Sequence, residues 1–324
     1  MLFVVGADLV SARNSKRQGR HKVCPYINFP KHPNPHRKDT PMKEQYYLDT
    51  LVGVFGHPVA ENPSVVIQEA AFKEMGLPLW RYLTLDVDPD KLEDAVKGLK
   101  ALKMRGINCT IPHKLEIIKH LDEISDTAKL IGAVNTVVND KGRLYGDNTD
   151  GKGFMEALAA SGVDPKDQTI VLLGAGGAAR AIGVELALAG AGRITLVNRS
   201  PADELMELLG RIANEAEFVK WDETYKIPAD TNILINATPV GLYPDVDTIP
   251  NIDPDTILPS MFVQDVIPNP AVTALLKAAE ARGARWSTGM GMLINQAAIN
   301  IEMWTGKKPN KQAMQAALEK ALGE

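Results

Sequence analysis

Cysteine is scarce in this sequence, and its scarcity excludes several kinds of site. The 324 residues include two cysteines, Cys24 and Cys109, which lie far apart along the chain. They form neither the closely spaced pairs of a zinc site nor the dense pattern of a disulfide-stabilised secreted domain. We therefore expect no metal site, and we expect the protein to work in the reducing cytoplasm.

Long apolar runs are also missing. No uninterrupted apolar stretch reaches the roughly 20 residues that a membrane-spanning helix needs. The opening MLFVVGADLV has no basic leader and is interrupted by Asp8, so it is a poor signal peptide. The sequence predicts no membrane partner.

Positive charge is sparse outside one segment. Nine Lys and Arg residues lie between Arg13 and Lys43, which leaves 27 basic against 38 acidic residues in the rest of the chain. Residues 1–44 are basic, proline-dotted and without apolar periodicity, so we predict a disordered extension, with a nucleic-acid- or surface-binding arm as the alternative. The acidic body argues against nucleic acid as the main partner.

The remaining sequence alternates between strand-like and helix-like segments, which is typical of an α/β fold around a largely parallel sheet. LVGVF, WRYLTLDV and GINCTI have the pattern of strands, and residues 140–142 join two further strands in a hairpin. A second alternation begins at TIVLLG and continues into a Gly/Ala-rich helix over residues 177–190. At this length the chain is expected to form two domains.

The turn after TIVLL has the glycine pattern of a dinucleotide-binding loop. In GAGGAAR, Gly174-x-Gly176-x-x-Ala179 stands between a predicted strand and a predicted helix, where the backbone can approach a pyrophosphate. The alternative is a glycine turn that only helps helix and sheet to pack. The predicted cofactor contacts in this loop are Gly174, Ala175, Gly176, Gly177 and Ala178.

The end of the next strand bears on the choice of cofactor. In NAD enzymes an acid at this point binds the adenosine ribose, but this chain has Asn198-Arg199-Ser200. Arg199 can pair with a 2′-phosphate, and its two neighbours can hydrogen-bond to it. The sequence therefore favours NADP. Asp203 lies near enough in sequence to oppose the phosphate, so NAD is kept as the alternative, with Arg199 then an ordinary surface charge.

The segment NCTIPHK places a lysine where a helix disfavours it. A cation just after the proline that starts a helix opposes the helix dipole. A dehydrogenase needs a general base for the hydroxyl proton, because the nicotinamide carries only the hydride. None of the six histidines is well placed, and His57 and His113 have no evident partner. Lys114 is the better candidate, with Asp150 in GDNTDG as its predicted carboxylate and Asp147 as the rival. Otherwise Lys114 is an exposed helix lysine.

Seven motifs resemble those of one family. NCTIPHK, GAVNTVV, GDNTDG, GAGGAAR, NRS, INATPVG and GMGMLINQA follow the order and spacing of shikimate dehydrogenases, from about Leu51 to the C-terminus. The resemblance implies a substrate domain built from residues 45–149 and 290–324. It also implies a Rossmann-type, doubly wound NADP-binding domain over residues 150–289, with the active site in the cleft between the two.

The resemblance also implies roles for individual residues. Lys114 and Asp150 match the catalytic pair of the family. Thr110, Asn135 and Gln296 match groups that hold the substrate's ring hydroxyls. Further matched cofactor contacts are Thr238, Val266, Gly289 and Met292. Without the motifs, Met292 and Gln296 would be an ordinary core stripe on a helix, and Thr238 a strand-end cap.

Two positions depart from the family's pattern. Where the family has a His-Ser-x-Ser-Pro run that grips the substrate carboxylate, this chain has Glu61-Asn62-Pro63-Ser64-Val65. Ser64 keeps one hydroxyl, the amide of Asn62 replaces the other, and Glu61 adds a negative charge nearby. Pro268 stands where the family has tyrosine, which removes a hydroxyl. We predict that the chemistry is retained and that the preference for ring or side groups is altered.

The leading functional prediction is NADP-dependent, reversible reduction of 3-dehydroshikimate to shikimate, on the route to chorismate and the aromatic amino acids. The nearest alternative is a quinate or related cyclitol-acid dehydrogenase, which could use NAD. A remote alternative is a non-catalytic dinucleotide-binding regulator. The predicted partners are a small-molecule substrate and a cofactor, and the chain is predicted to be a monomer or a homodimer.

Overall fold

The computed structural model describes residues 47–323, so the predicted extension over residues 1–44 lies outside the described part of the chain. The described residues form two six-stranded sheets covered by helices. Among these helices, none is both long enough and apolar enough to cross a bilayer.

The first sheet is mixed. Its strands are β1 (Thr50–Gly56), β2 (Trp80–Asp86), β3 (Gly106–Cys109), β4 (Glu123–Ile124), β5 (Thr136–Asp140) and β6 (Arg143–Asp147), in the spatial order β2-β1-β3-β5-β6-β4. Strands β1, β2 and β3 pair in parallel, whereas β5 is antiparallel to both β3 and β6. The predicted hairpin at residues 140–142 is confirmed. The prediction of a largely parallel sheet holds for this half except at β5, because the two-residue connection between β5 and β6 can join only antiparallel neighbours.

The second sheet is parallel throughout. Its strands are β7 (Thr169–Leu173), β8 (Arg193–Asn198), β9 (Ala216–Lys220), β10 (Ile233–Asn236), β11 (Phe262–Asp265) and β12 (Arg285–Ser287), in the order β12-β11-β10-β7-β8-β9. The central strands are almost fully buried, as expected for a sheet with helices on both faces. The chain leaves β7 toward β8 and later returns to β10 on the other side. This reversal makes the crevice beyond β7 and β10 the expected ligand site of the predicted doubly wound fold.

Ten α-helices surround the two sheets in the described residues. They are α1 (Ser64–Glu74), α2 (Leu92–Ala101), α3 (His113–Glu116), α4 (Asp126–Ile131), α5 (Asp150–Ala160), α6 (Gly177–Leu188), α7 (Asp203–Ile212), α8 (Ala274–Ala281), α9 (Gly289–Thr305) and α10 (Lys311–Leu322). The helical pattern predicted after Pro112 is present, but α3 has only four residues and continues as a 3-10 turn over Ile117–His120. The carbonyl of Lys114 accepts the N–H of Val134 (2.8 Å), which ties this backbone to a neighbouring loop.

Helices α5 and α9 hold the two halves together. A Cβ added to Gly153 in α5 would lie 2.6 Å from the backbone nitrogen of Gln296 in α9, so the helices touch where this glycine stands. Met292 in the first turn of α9 belongs to the core of the second sheet, whereas Ile301 further along packs in the core of the first sheet. This packing agrees with the prediction that the last helices join the N-terminal half. The exact division into a substrate and a cofactor domain stays a prediction.

Candidate active site

A cleft between the two sheets collects most of the predicted substrate and catalytic residues. It is open to solvent and has an empty volume of about 630 Å³, within the range of small-molecule sites. Ten predicted site residues line it: Asn62, Ser64, Thr110, Lys114, Asn135, Asp150, Val266, Gly289, Met292 and Gln296. They come from segments on both sides of the cleft, and so the fold brings together side chains that are far apart in sequence.

Lys114 and Asp150 meet inside this cleft. The ammonium of Lys114 donates a hydrogen bond of 2.6 Å to Oδ2 of Asp150, and their side chains are 25% and 14% exposed. Asp150 is the first residue of α5, where the helix dipole favours a negative charge. An ion pair with this partial exposure keeps a cationic proton donor in reach of a small molecule in the cleft.

The second oxygen of Asp150 is held by an amide. Nδ2 of Asn135 donates to Oδ1 of Asp150 at 2.7 Å, so the carboxylate is fixed at both oxygens. Asp147, the rival partner for the lysine, is engaged elsewhere, because Lys152 donates to its Oδ2 at 2.6 Å. The geometry therefore favours Asp150 over Asp147 as the partner of Lys114.

The histidines at the edges of this region have structural partners, contrary to the prediction that they have none. His113 is buried, and its Nε2 lies 2.7 Å from the carbonyl oxygen of Val87. Nδ1 of His57 lies 2.8 Å from Oδ1 of Asp86, and this contact raises the pKa of His57. Both partners stand on or just after β2, which sequence spacing alone could not reveal.

Cys109 also lines the cleft, but its chemistry is suppressed. Burial raises the pKa of its thiol to about 12, while nearby Lys114 acts in the opposite direction. The group stays protonated near neutral pH, and the thiolate is the nucleophilic form. Cys109 is therefore part of the apolar wall.

The end of the cleft near α1 contains the residues that depart from the family's pattern. Oδ1 of Asn62 accepts the backbone N–H of Ser64 at 2.9 Å, which leaves the Nδ2 of Asn62 as its available donor. The buried Tyr82 hydrogen-bonds Oδ1 of Asn108 at 2.8 Å and also interacts with the Ser64 side chain. Burial raises the pKa of Tyr82 and keeps its hydroxyl neutral. Pro268 lines the cleft as predicted and contributes no polar side-chain atom.

A second cleft lies beyond β7 and β10, at the reversal point of the parallel sheet. Its empty volume is about 880 Å³, and the predicted residues that line it are Gly174, Ala175, Gly176, Asn198, Arg199 and Thr238. Gly177 and Ala178 are the first residues of α6, and Ser200 directly follows Arg199. This crevice therefore gathers the predicted pyrophosphate and ribose contacts and Thr238, with three of these residues beside it, whereas Val266, Gly289 and Met292 line the first cleft.

The glycine loop fits a pyrophosphate better than it fits a packing role. Gly174 has a φ of +98°, which L side chains rarely adopt. A Cβ at Gly176 or Gly177 would meet no atom within 4 Å, so neither glycine is needed for helix–sheet packing. Open space above a helix N-terminus suits a bound phosphate. Exposed Arg199 supplies a cation at the same crevice, which fits an additional phosphate on the ribose.

A buried polar hub shapes the backbone between the two clefts. Oδ1 of Asn236 accepts both the N–H (3.0 Å) and the hydroxyl (2.7 Å) of Thr238, and its Nδ2 donates to Asp265. Asp265 also accepts from the Thr273 hydroxyl and the Ile267 N–H. Burial raises the pKa of this carboxyl despite these donors. The hub fixes the Thr238 turn on one side and the segment from Val266 on the other.

Sequence reasoning missed several residues at these clefts. Trp221 and Asn251 line the second cleft, and the Trp221 indole donates to the carbonyl of Asn251 at 2.8 Å. Asn108 lines the first cleft and was quoted in NCTIPHK without a role. A tryptophan directly after a strand of the dinucleotide half was the available signal for Trp221. Asn251 lies in the proline-rich segment YPDVDTIPNIDPDTILP, whose irregular pattern predicts no helix or strand and gave no pointer to the cleft.

Comparison with known proteins identifies the two parts of the chain separately. Residues 54–137 match the family described as shikimate dehydrogenase substrate binding domain. Residues 289–319 match the shikimate 5'-dehydrogenase C-terminal domain.

Individual relatives match over most of their length. A shikimate dehydrogenase (NADP(+)) of Alkaliphilus oremlandii is 42% identical over 262 residues, which cover 79% of this chain and 91% of the relative. A crystal structure of a shikimate dehydrogenase in complex with NADP+ has a TM-score of 0.80 at 40% identity, covering 85% of this chain and 96% of that one. A ligand-free 5-ketofructose reductase of Gluconobacter sp. strain CHM43 has a TM-score of 0.81 at 43% identity, covering 85% and 100%.

Proposed function

The chain belongs to the shikimate dehydrogenase family, and from this membership we propose that it catalyses the reversible NADP-dependent reduction of 3-dehydroshikimate to shikimate. It is an oxidoreductase acting on a CH–OH group. The observation that carries the proposal is the 2.6 Å contact between Lys114 and Asp150, in a cleft that Gly289 and Met292 also line.

The reaction needs a proton carrier beside the hydride carrier. When bound, NADP gives or takes the hydride at the reacting carbon. In our proposal Lys114 donates the proton to the carbonyl oxygen during reduction and takes it back during oxidation. Asp150 holds the ammonium in place, and Asn135 holds Asp150. A proton donor fixed in this way is poised for transfer before the substrate arrives.

The other residues bind and orient. We assign the ring hydroxyls of the substrate to Thr110, Asn135 and Gln296, and its carboxylate to Nδ2 of Asn62 and the hydroxyl of Ser64. We assign the cofactor's pyrophosphate to the glycine loop before α6 and its 2′-phosphate to the region of Asn198, Arg199 and Ser200. Thr238, Val266, Gly289 and Met292 would then border the nicotinamide half.

A keto-sugar reductase is the second candidate. The Gluconobacter structure named 5-ketofructose reductase is 43% identical to this chain. The carboxylate end of the cleft has one amide donor and one hydroxyl, and Pro268 adds none. Lys114 is the only cation lining the cleft among the described residues, and it is paired with Asp150. A neutral polyol therefore fits this end of the cleft without an unpaired charge. Quinate, with NAD, stays the alternative that the sequence raised.

One set of rates decides among the candidates. We would measure steady-state kcat/KM for shikimate, quinate and 5-ketofructose with NADP and NAD in the matching redox state. The proposal predicts the highest value for shikimate with NADP. A value at least about tenfold higher for 5-ketofructose or quinate would replace it with the corresponding alternative, and no turnover of any of the three would favour the non-catalytic regulator.

A further inference from the structure

Asn300 stands apart from every role assigned so far. It lies on the buried face of α9 and is completely buried, yet it does not line either cleft in the described structure. Burying an amide is costly unless its donors and acceptors are all used. Its partners therefore show what it does.

The carbonyl of Asn300 accepts two hydroxyl protons. The hydroxyls of Thr136 and Thr149 lie 2.7 and 2.8 Å from its Oδ1. Each hydroxyl also lies near Oδ1 of Asn135, but at the longer distances of 3.0 and 3.2 Å. Because a hydroxyl has one proton, the shorter contacts to Asn300 take it, and both threonine oxygens are left as acceptors.

Those acceptors then orient the amide beside the ion pair. The Thr149 oxygen accepts from Nδ2 of Asn135 at 3.0 Å, and Oδ1 of Asn135 accepts the backbone N–H of Thr149 at 2.8 Å. With these bonds fixed, the second Nδ2 proton of Asn135 points to Asp150. A reversed Asn135 amide would place an oxygen against the carboxylate. Thus the hydrogen-bond direction that Asn300 imposes also determines which group of Asn135 faces Asp150, the carboxylate that holds Lys114.

The amide nitrogen of Asn300 controls a second residue. Its Nδ2 donates to Oε1 of Gln296 at 3.0 Å, one helical turn earlier on α9. Nε2 of Gln296 donates one proton to the carbonyl of Leu293 at 3.1 Å, and its second proton is available to the cleft. Gln296 therefore presents a donor to a bound molecule.

From these contacts we propose that Asn300 is a positioning residue that sets the hydrogen-bond direction on both sides of the reacting centre. Its carbonyl acts through the two threonines and Asn135 on Asp150, and its amide nitrogen acts on Gln296. The proposal deepens the proposed function and rests on it, because its readout is substrate turnover.

Two substitutions separate the effect of the Asn300 carbonyl from the effect of its amide nitrogen. In Asn300→Asp, the carboxylate still accepts both threonine hydroxyls but cannot donate to Gln296. We expect the KM for the substrate to rise about tenfold or more, with kcat and the KM for NADP within about twofold of wild type. In Asn300→Leu, both the carbonyl and the amide nitrogen are lost, and we expect kcat to fall as well.

Asn295→Leu is the matched control, because Asn295 is a buried amide on the same helix. Within the described part of the chain, its Nδ2 donates only to the carbonyl of Gly153, at 3.4 Å. It is expected to lower thermal stability without raising the substrate KM. Equal substrate KM values in Asn300→Asp and wild type would overturn the proposal. If Asn300→Asp does not fold, Asn300→Leu decides: a substrate KM matching that of Asn295→Leu overturns the proposal, and an increase of about tenfold over it supports the proposal. Failure of the proposed function is distinguishable, because the wild-type enzyme itself would then show no turnover of shikimate.

Discussion

Arg199 is the residue from which we expect the preference for NADP to follow. Arg199 is exposed at the second cleft, where the sequence has no acid at the end of β8. Asp203, which raised the possibility of NAD, is the first residue of α7, where a negative charge favours the helix. Its position therefore has a structural reason independent of the cofactor.

Arg199→Ala is predicted to weaken NADP selectively. A charge-assisted hydrogen bond is worth about 1.5–3 kcal/mol, so the KM for NADP should rise about 10- to 100-fold. The KM for NAD should stay unchanged, because NAD has no 2′-phosphate. Arg211→Ala, an exposed arginine late in α7, is the control with both KM values at wild-type level. Equal loss for both cofactors after Arg199→Ala would mean that the side chain does not bind the 2′-phosphate.

The residues that the sequence revealed are those with local chemistry of their own. Lys114 drew attention because it opposes a helix start, and Asp150 because it stands at one. Asn300 drew none, because it is one of four polar residues inside MLINQAAINIEMW, and its threonine partners are 164 and 151 residues away. Only the fold brings Asn300 and its two threonine partners together. Hydrogen-bond direction in a buried cluster cannot be read from spacing.

At the scale of elements, the contact between α5 and α9 sets the floor of the first cleft. Gly153→Ala would place a methyl group 2.6 Å from the Gln296 nitrogen and 2.9 Å from the Met292 carbonyl. We predict a loss of about 1–3 kcal/mol in the free energy of unfolding and a raised substrate KM, since Gln296 must move.

Gly98→Ala in α2 is the matched control for this substitution. A Cβ at Gly98 meets nothing within 4 Å, so alanine should stabilise the protein by about 0.5–1 kcal/mol through helix propensity. Urea denaturation of both variants measures these changes. An unchanged free energy of unfolding in Gly153→Ala would show that the two helices can move apart without cost.

The loop between β1 and α1 is predicted to depend on pH through His57. Its hydrogen bond to Asp86 raises its pKa above the ordinary value of 6.5. The stabilisation is therefore complete below the unfolded pKa and is lost as pH rises through the folded pKa. We expect the urea midpoint of wild type to exceed that of His57→Asn at about pH 5.5 and the difference to shrink by about pH 8.5. A difference that grows with pH would contradict the assignment.

Elements also show where sequence patterns fail. The central strands β7, β8, β10 and β11 of the second sheet followed their apolar runs closely, because burial on both faces makes the pattern continuous. Helix α4 and strands β4 and β12 were missed, because six, two and three residues are too few to show a period. The first sheet is mixed in strand direction because it contains a hairpin. The sequence predicted this hairpin, but the antiparallel strand that the hairpin imposes was not deduced from it.

At the scale of the molecule, two sheets share one helix. Met292 of α9 packs in the core of the second sheet, whereas Met290 and Ile301 of the same helix pack in the core of the first. Met292 and Gln296 lie on this helix at the cleft. A substrate on one side of the cleft and a cofactor on the other would thus both be positioned by the same helix. The position of the last helices came from the resemblance to a family, since a return of the C-terminus to the first half has no local signal.

The measurement that tests the central claim most directly is turnover by Lys114→Ala with shikimate and NADP. We predict that kcat falls by about 100-fold or more, the usual range for losing a general acid or base, while binding of NADP, followed by its effect on thermal stability, remains at the wild-type level. A variant that keeps nearly normal turnover would contradict the claim that the ammonium beside Asp150 carries the proton.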